Sequence, residues 1–250
     1  MPTRRYKILL IHLLNLLAKM LPKSSSIKSK KTESKPMTKT PKTLEELLTF
    51  DNIKSTVESR GYKFFDTPDR RLNLNLVGVR RDNEGTNTFD DYLLVLYREE
   101  DLTVINKYEI TTDPGKYWLE NPTNPKGTAV LKPGQYRSTW QLGKHQGKYE
   151  ALVQRKPVQV YRDNNKDDVV DYDSMTTMID EGYFGINIHR SNPYDQSYVI
   201  NKWSAGCQVF KKIDDYNKFM ELCKDSANIY GNGFTYTLIT EKELRNHLDS

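Results

Sequence analysis

Residues Phe184 to Phe210 read "FGINIHRSNPYDQSYVINKWSAGCQVF" and hold one of the four histidines and one of the two cysteines, His189 and Cys207. "FGINIHR" and "SYVINKW" are strand-like runs on either side of the polar loop "RSNPYDQS", which predicts an antiparallel hairpin returning His189 toward Cys207. Ser204, Ala205 and Gly206 precede Cys207 where a strand is expected to end. Small residues there permit a sharp turn and leave room at the sulfur. Backbone N–H groups beside such a turn can face a developing oxyanion. A thiol with its ordinary pKa of about 8.5 is mostly protonated at neutral pH, so a nucleophilic Cys207 needs a base, and His189 is the candidate. On spacing alone, two structural residues on neighbouring strands are the commoner outcome.

Around this stretch lie further short strand-like runs: "LNLNLVGVR" (72–80), "DYLLVLY" (91–97), "KYEITTD" (107–113), "ALVQRKPVQVYRD" (151–163) and a closing "FTYTLIT" (234–240). Sixteen tyrosines favour a pleated, half-buried surface. A helix is expected over "TLEELLTFDNIKSTVES" (43–59), where Thr43 and Glu46 have capping-box spacing and Leu44, Leu47, Leu48 and Ile53 form an apolar face. A second helix is expected over 214–226, with Tyr216, Phe219, Met220 and Cys223 on one face, so Cys223 reads as an inert core thiol. The predicted fold class is mainly β with flanking helices (α+β).

The net charge of +5 is unevenly spread. Residues 1–43 carry eleven Lys or Arg against Glu33 alone, which is +10 and leaves −5 for residues 44–250. A mildly acidic body is the wrong surface for a nucleic-acid-binding domain, so no nucleic-acid partner is expected. Residues 1–22 place Arg4, Arg5 and Lys7 before an apolar run, a signal-anchor-like pattern, yet His12, Asn15 and Lys19 would form a polar stripe on an amphipathic, membrane-surface helix. Docking of that helix on the body or a partner chain is the third reading. Residues 23–42, rich in Lys, Ser, Thr and Pro, read as a disordered basic linker. Two cysteines make neither a disulfide framework nor a four-thiolate zinc site, and leave the redox compartment open.

His189 in "NIHR" and Cys207 in "SAGC", 18 positions apart, resemble the catalytic motif of the L,D-transpeptidase (YkuD-type) family, in which a histidine precedes an "S-H-G-C" box. "GTAVLKPGQY" (127–136) resembles that family's Pro-Gly segment through Pro133, Gly134 and Tyr136, so the likeness spans roughly 105–240 within a domain of 43–250. The resemblance implies an L,D-transpeptidase-like β-rich fold and acyl transfer or hydrolysis on peptidoglycan stem peptides through a Cys207 thioester. It implies His189 as base, the Arg190 carbonyl orienting the imidazole, Gly206 and Cys207 N–H groups holding the oxyanion, and Ser204 bracing the loop. No cofactor is required, and a bacterial or phage-encoded protein of the cell envelope, anchored or exported, is implied. Two positions depart: Ala205 replaces the box histidine, and Val209 stands where the family often has arginine. They favour the rival reading, a non-catalytic wall-binding or virion structural protein with a degenerate site; a cysteine peptidase acting on protein is a third.

"DNNKDDVVDYDS" (163–174) resembles a calcium loop, with Asp163, Asn165, Asp167, Val169 and Asp171 at ligand positions. Asp168 at the glycine position and Ser174 at the glutamate position argue instead for an acidic turn. His145 in "GKHQGKY" reads as a surface residue in an exposed turn. "YWLENPTNP" (117–125), Tyr183 and Trp203 are candidates for lining a peptide groove, or ordinary packing.

Overall fold

The computed structural model describes residues 42–82, 87–170, 172 and 178–250. The helix expected over 1–22 and, Lys42 apart, the linker over 23–42 lie outside them. Among the described residues no helix is long and apolar enough to cross a membrane.

The protein is mainly β with flanking helices. Eight strands close a barrel in the order β1 (Asn75–Arg80), β11 (Phe234–Thr240), β5 (Gly134–His145), β6 (Tyr149–Gln154), β9 (Ile188–Arg190), β10 (Gln208–Phe210), β3 (Leu102–Thr111) and β2 (Asp91–Glu99). β4 (Thr128–Leu131), β7 (Val158–Asp163) and β8 (Met178–Gly182) form a separate antiparallel sheet. Two barrel pairings are parallel, β1 with β11 and β9 with β10.

All six residues of β1 are buried because the strand has apolar cover on both faces. Leu76 belongs to one core cluster with Leu93, Trp140, Leu152, Ile188, Phe210 and Tyr236. Helix α4 (Ile213–Tyr230) adds Tyr216, Phe219, Met220 and Cys223 to it, so Cys223 is the core thiol its helical spacing predicts. Val77 and Val79 belong to a second cluster under α1 (Leu44–Leu47), α2 (Phe50–Ser59) and α5 (Glu241–Leu248), while the short α3 (Lys116–Glu120) buries Leu119 in a separate small cluster.

Several boundaries differ from expectation for local reasons. The single helix expected over 43–59 is two, since Thr49 starts a new one by accepting the Asn52 N–H on its Oγ1. The run 151–163 breaks into β6 and β7 at Pro157, which has no N–H for a ladder. "SYVINKW" is not a strand: Val199 makes one isolated bridge to Thr88, and Asn201 adopts φ 44° with its N–H bonded to Asn87 Oδ1 at 2.5 Å. The expected antiparallel hairpin is therefore replaced by a parallel crossover. The chain leaves β9 at Arg190, runs through a seventeen-residue surface loop, and returns as β10 beside the strand it left.

Candidate active site

Parallel pairing sets Val209 beside His189 and Gln208 beside Ile188, and the Gln208 N–H bonds the Asn187 carbonyl at 2.9 Å. Alternation then puts Asn187 and His189 on one face with Cys207 and Val209, while Ile188 and Phe210 fill the barrel. Cys207 packs against a small cluster of Phe89, Ile200 and Val209, so Val209, where the resemblance leads one to expect arginine, serves as packing for the thiol.

The turn before Cys207 is tightly held. Gly206 has φ +114°, and a Cβ there would lie 2.1 Å from the Ala129 carbonyl oxygen. Ser204, fully buried, donates its hydroxyl to the Cys207 carbonyl at 2.8 Å and accepts the Gly206 N–H at 3.1 Å. Its own carbonyl accepts the Gly115 N–H at 2.9 Å. Ser204 thus braces the loop. The Gly206 N–H, however, is spent on Ser204 and is not directed at an oxyanion; no such partner holds the Cys207 N–H among the described residues. Gly206→Ala combines backbone strain with a clash against main chain, and is expected to destabilise the protein by about 2–4 kcal/mol, read as a lower urea midpoint at unchanged slope.

The thiol donates to the Gly185 carbonyl and its sulfur accepts the Asn187 N–H, each at 3.4 Å. His189 is not among its partners: the two groups share no hydrogen bond at rest. His189 is 3% exposed. Its Nδ1 lies 2.7 Å from the Arg190 carbonyl oxygen and 3.1 Å from the Tyr149 hydroxyl. A carbonyl only accepts, so Nδ1 carries the proton and Nε2 the basic lone pair. The Arg190 guanidinium itself lies over the Tyr149 ring at 4.0 Å.

A second imidazole stands beside the first. His145, read from sequence as a surface residue, is 8% exposed, and its ring stacks on His189 with centroids 4.0 Å apart and planes 28° apart. Asn187 fixes its tautomer. The Asn187 Oδ1 accepts the Gln154 N–H at 2.9 Å, so Nδ2 faces His145 Nδ1 at 3.0 Å and donates to it. His145 Nδ1 is then unprotonated. This second imidazole comes from the end of β5, where the chain turns into β6. Period-two alternation in "NIH" was the available signal for Asn187; His145 had none, because only sheet order brings β5, through β6, close to β9.

Burial, with neighbouring His145 and Arg190, pushes His189 down to about 3 against the pull of the Arg190 carbonyl, and burial pushes the Cys207 thiol up to about 11 despite the Asn187 N–H. Burial also lowers His145. Both shifts point the same way, toward a neutral thiol and a neutral imidazole at rest.

That neutrality has a stability signature. Below pH 6.5 the unfolded chain takes up a proton that folded His189 refuses, so stability present above 6.5 falls by about 1.4 kcal/mol per pH unit on the way to about 3. Asp91, buried and raised to about 7, works in the opposite sense between about 4 and 7. Wild type compared with His189→Gln cancels Asp91. Urea unfolding at pH 7, 6 and 5 is expected to show wild type losing stability relative to the variant as the solution is acidified.

A cavity of about 310 Å³ lies beside Ala205, walled by Trp118, Ala129, Arg162, Tyr183 and Phe184. Trp118 and, at 123–124, the "YWLENPTNP" segment do line a groove, with Tyr183 68% exposed at its wall. Trp203 is exposed but is not part of it.

The calcium-loop residues do not assemble a cation site among the described residues, where no group of three or more His, Cys, Asp or Glu converges. Asp163 is buried at the end of β7, while the Asp167 carboxylate accepts from the Val169 N–H at 2.8 Å and from Asn165 Nδ2 at 2.9 Å. Val169 is exposed, and Asp171 lies outside the described residues. Local turn bonds thus engage both oxygens of the Asp167 carboxylate.

No protein-family model matches the chain, and no curated protein matches it at a significant level.

Proposed function

We propose that the protein is an L,D-transpeptidase-like cysteine acyltransferase or hydrolase acting on peptidoglycan stem peptides. The observation that carries this reading is the S-x-G-C turn, held by Ser204 and left-handed Gly206, set beside a histidine whose Nδ1 is tied to the next carbonyl. Nε2 of His189 takes the Cys207 proton as sulfur attacks a peptide carbonyl. An S–C bond forms, the C–N bond breaks, and the proton passes to the departing amine. Water or a second amine then resolves the thioester. The Cys207 N–H is the available oxyanion donor. His145 is a positioning residue, stacked on His189 and tied through Asn187 to the main chain that contacts the sulfur.

The rival reading, a non-catalytic wall-binding or virion protein, draws on the absence of a resting Cys207–His189 hydrogen bond and on Ala205. Incubation with a carbapenem, followed by intact mass and peptide mapping, tests between them. A single adduct on Cys207, with altered products from purified muropeptides, is expected. No adduct and unchanged muropeptides would sink the enzymatic reading.

A further inference from the structure

Away from Cys207, a cavity of about 550 Å³ opens between the end of β1, the turn joining β4 to β5, and the start of α5. It shares no lining residue with the groove beside Ala205. Five basic side chains line it against two acidic ones, Asp82 and Glu243, on a body whose overall charge is negative.

Arg80 forms the cavity's buried floor, with its side chain 2% exposed. Burying a guanidinium costs several kcal/mol unless its donors are met. Nε reaches Thr112 Oγ1 at 2.8 Å and Asp113 at 3.1 Å, Nη1 the Leu131 carbonyl at 3.0 Å, and Nη2 the Thr112 carbonyl at 3.0 Å. A guanidinium has five N–H groups, so one on each terminal nitrogen has no acceptor among the described residues. Around it, Arg60 is paired with Glu243 at 2.8 Å and Arg81 loosely with Glu241 at 3.7 Å. Lys132 and Lys242 are not among the ion pairs of the described residues, and Asp82 is the acidic group near Lys242. At the helix start Thr240 Oγ1 accepts the Glu243 N–H, and the Lys242 N–H faces Asp82. With the three arginines ion-paired, the two lysines are the cations that remain without an ion pair among the described residues.

We infer that this cavity binds a small, multiply charged anion of the phosphate-ester or polyphosphate class. A carboxylate satisfies one guanidinium, whereas cations converging from four separate elements (the end of α2, the end of β1, the β4–β5 turn and α5) select an anion that spreads several charges over several oxygens. Pro133 and Tyr161 supply an apolar wall for whatever carries the phosphate.

Inorganic pyrophosphate titrated calorimetrically into the full chain, at 50 and at 300 mM salt, tests the site. Saturable 1:1 binding that weakens steeply with salt is expected, with a matching rise in melting temperature. Arg80→Gln risks unfolding the barrel, so the variant used is Lys132→Gln/Lys242→Gln, expected to bind about tenfold or more weakly. Lys166→Gln/Lys218→Gln, at exposed positions outside the cavity, is expected to bind as wild type does. Absence of saturable binding, or equal loss in both double variants, or none in the first, would overturn the assignment. None of these outcomes depends on Cys207 chemistry.

Discussion

Cys207→Ala is expected to abolish carbapenem adduct formation and muropeptide turnover entirely, while Cys223→Ala leaves both intact. The two thiols separate chemistry from packing. Cys223 is fully buried in the barrel core among α4 aromatics, and removing its sulfur leaves a small cavity worth about 1–2 kcal/mol. Cys207 is half-buried at the edge of a satellite cluster, so its truncation should cost less than Cys223→Ala. Activity should thus vanish in the more stable variant and persist in the less stable one. A thiol held up near 11 should also alkylate slowly with iodoacetamide at pH 7, because little thiolate is present. Fast alkylation of Cys207 at neutral pH would contradict a neutral resting pair.

His189→Gln is expected to slow Cys207 acylation by about 10²–10⁴-fold, the range for loss of a general base. The pH profile carries the sharper expectation. With its imidazole held down to about 3, wild type should keep its rate as pH falls from 8 to 5, where an ordinary histidine base would lose it through about 6.5. In the variant only pre-formed thiolate can react, so its rate should climb about tenfold per pH unit toward 11. Stopped-flow β-lactam acylation across pH 5–10 measures both. Identical profiles for the two proteins would remove His189 from the mechanism.

Much of the fold was legible because its signals are local. Strand-like runs between turn signals marked β1, β2 and β11, and helical spacing placed Cys223 in the core. The capping box at Thr43 and Glu46 is present as expected, with the Thr43 N–H bonded to Glu46 at 2.7 Å. The site was legible only in part. Ser204 and the Arg190 carbonyl lie within a few positions of the groups they contact, so their placement follows from local chain geometry. His145 reaches His189 from more than forty positions away, through sheet order that no local pattern encodes. The "YVINKW" segment has strand composition, yet its backbone is claimed by Asn87, whose carbonyl and amide oxygens bind the Ile200 and Asn201 N–H groups. Long-range capture of a loop by one asparagine defeats propensity.

The parallel pairing of β1 with β11 couples the first barrel strand to the last across some 160 positions. During vectorial synthesis, β1 and β2 emerge long before the partner that completes their sheet, and β1 must wait with an unsatisfied edge. Residues 234–240 therefore act as a release condition. A chain interrupted before them would present an open, apolar ribbon to chaperones and proteases instead of a closed shell.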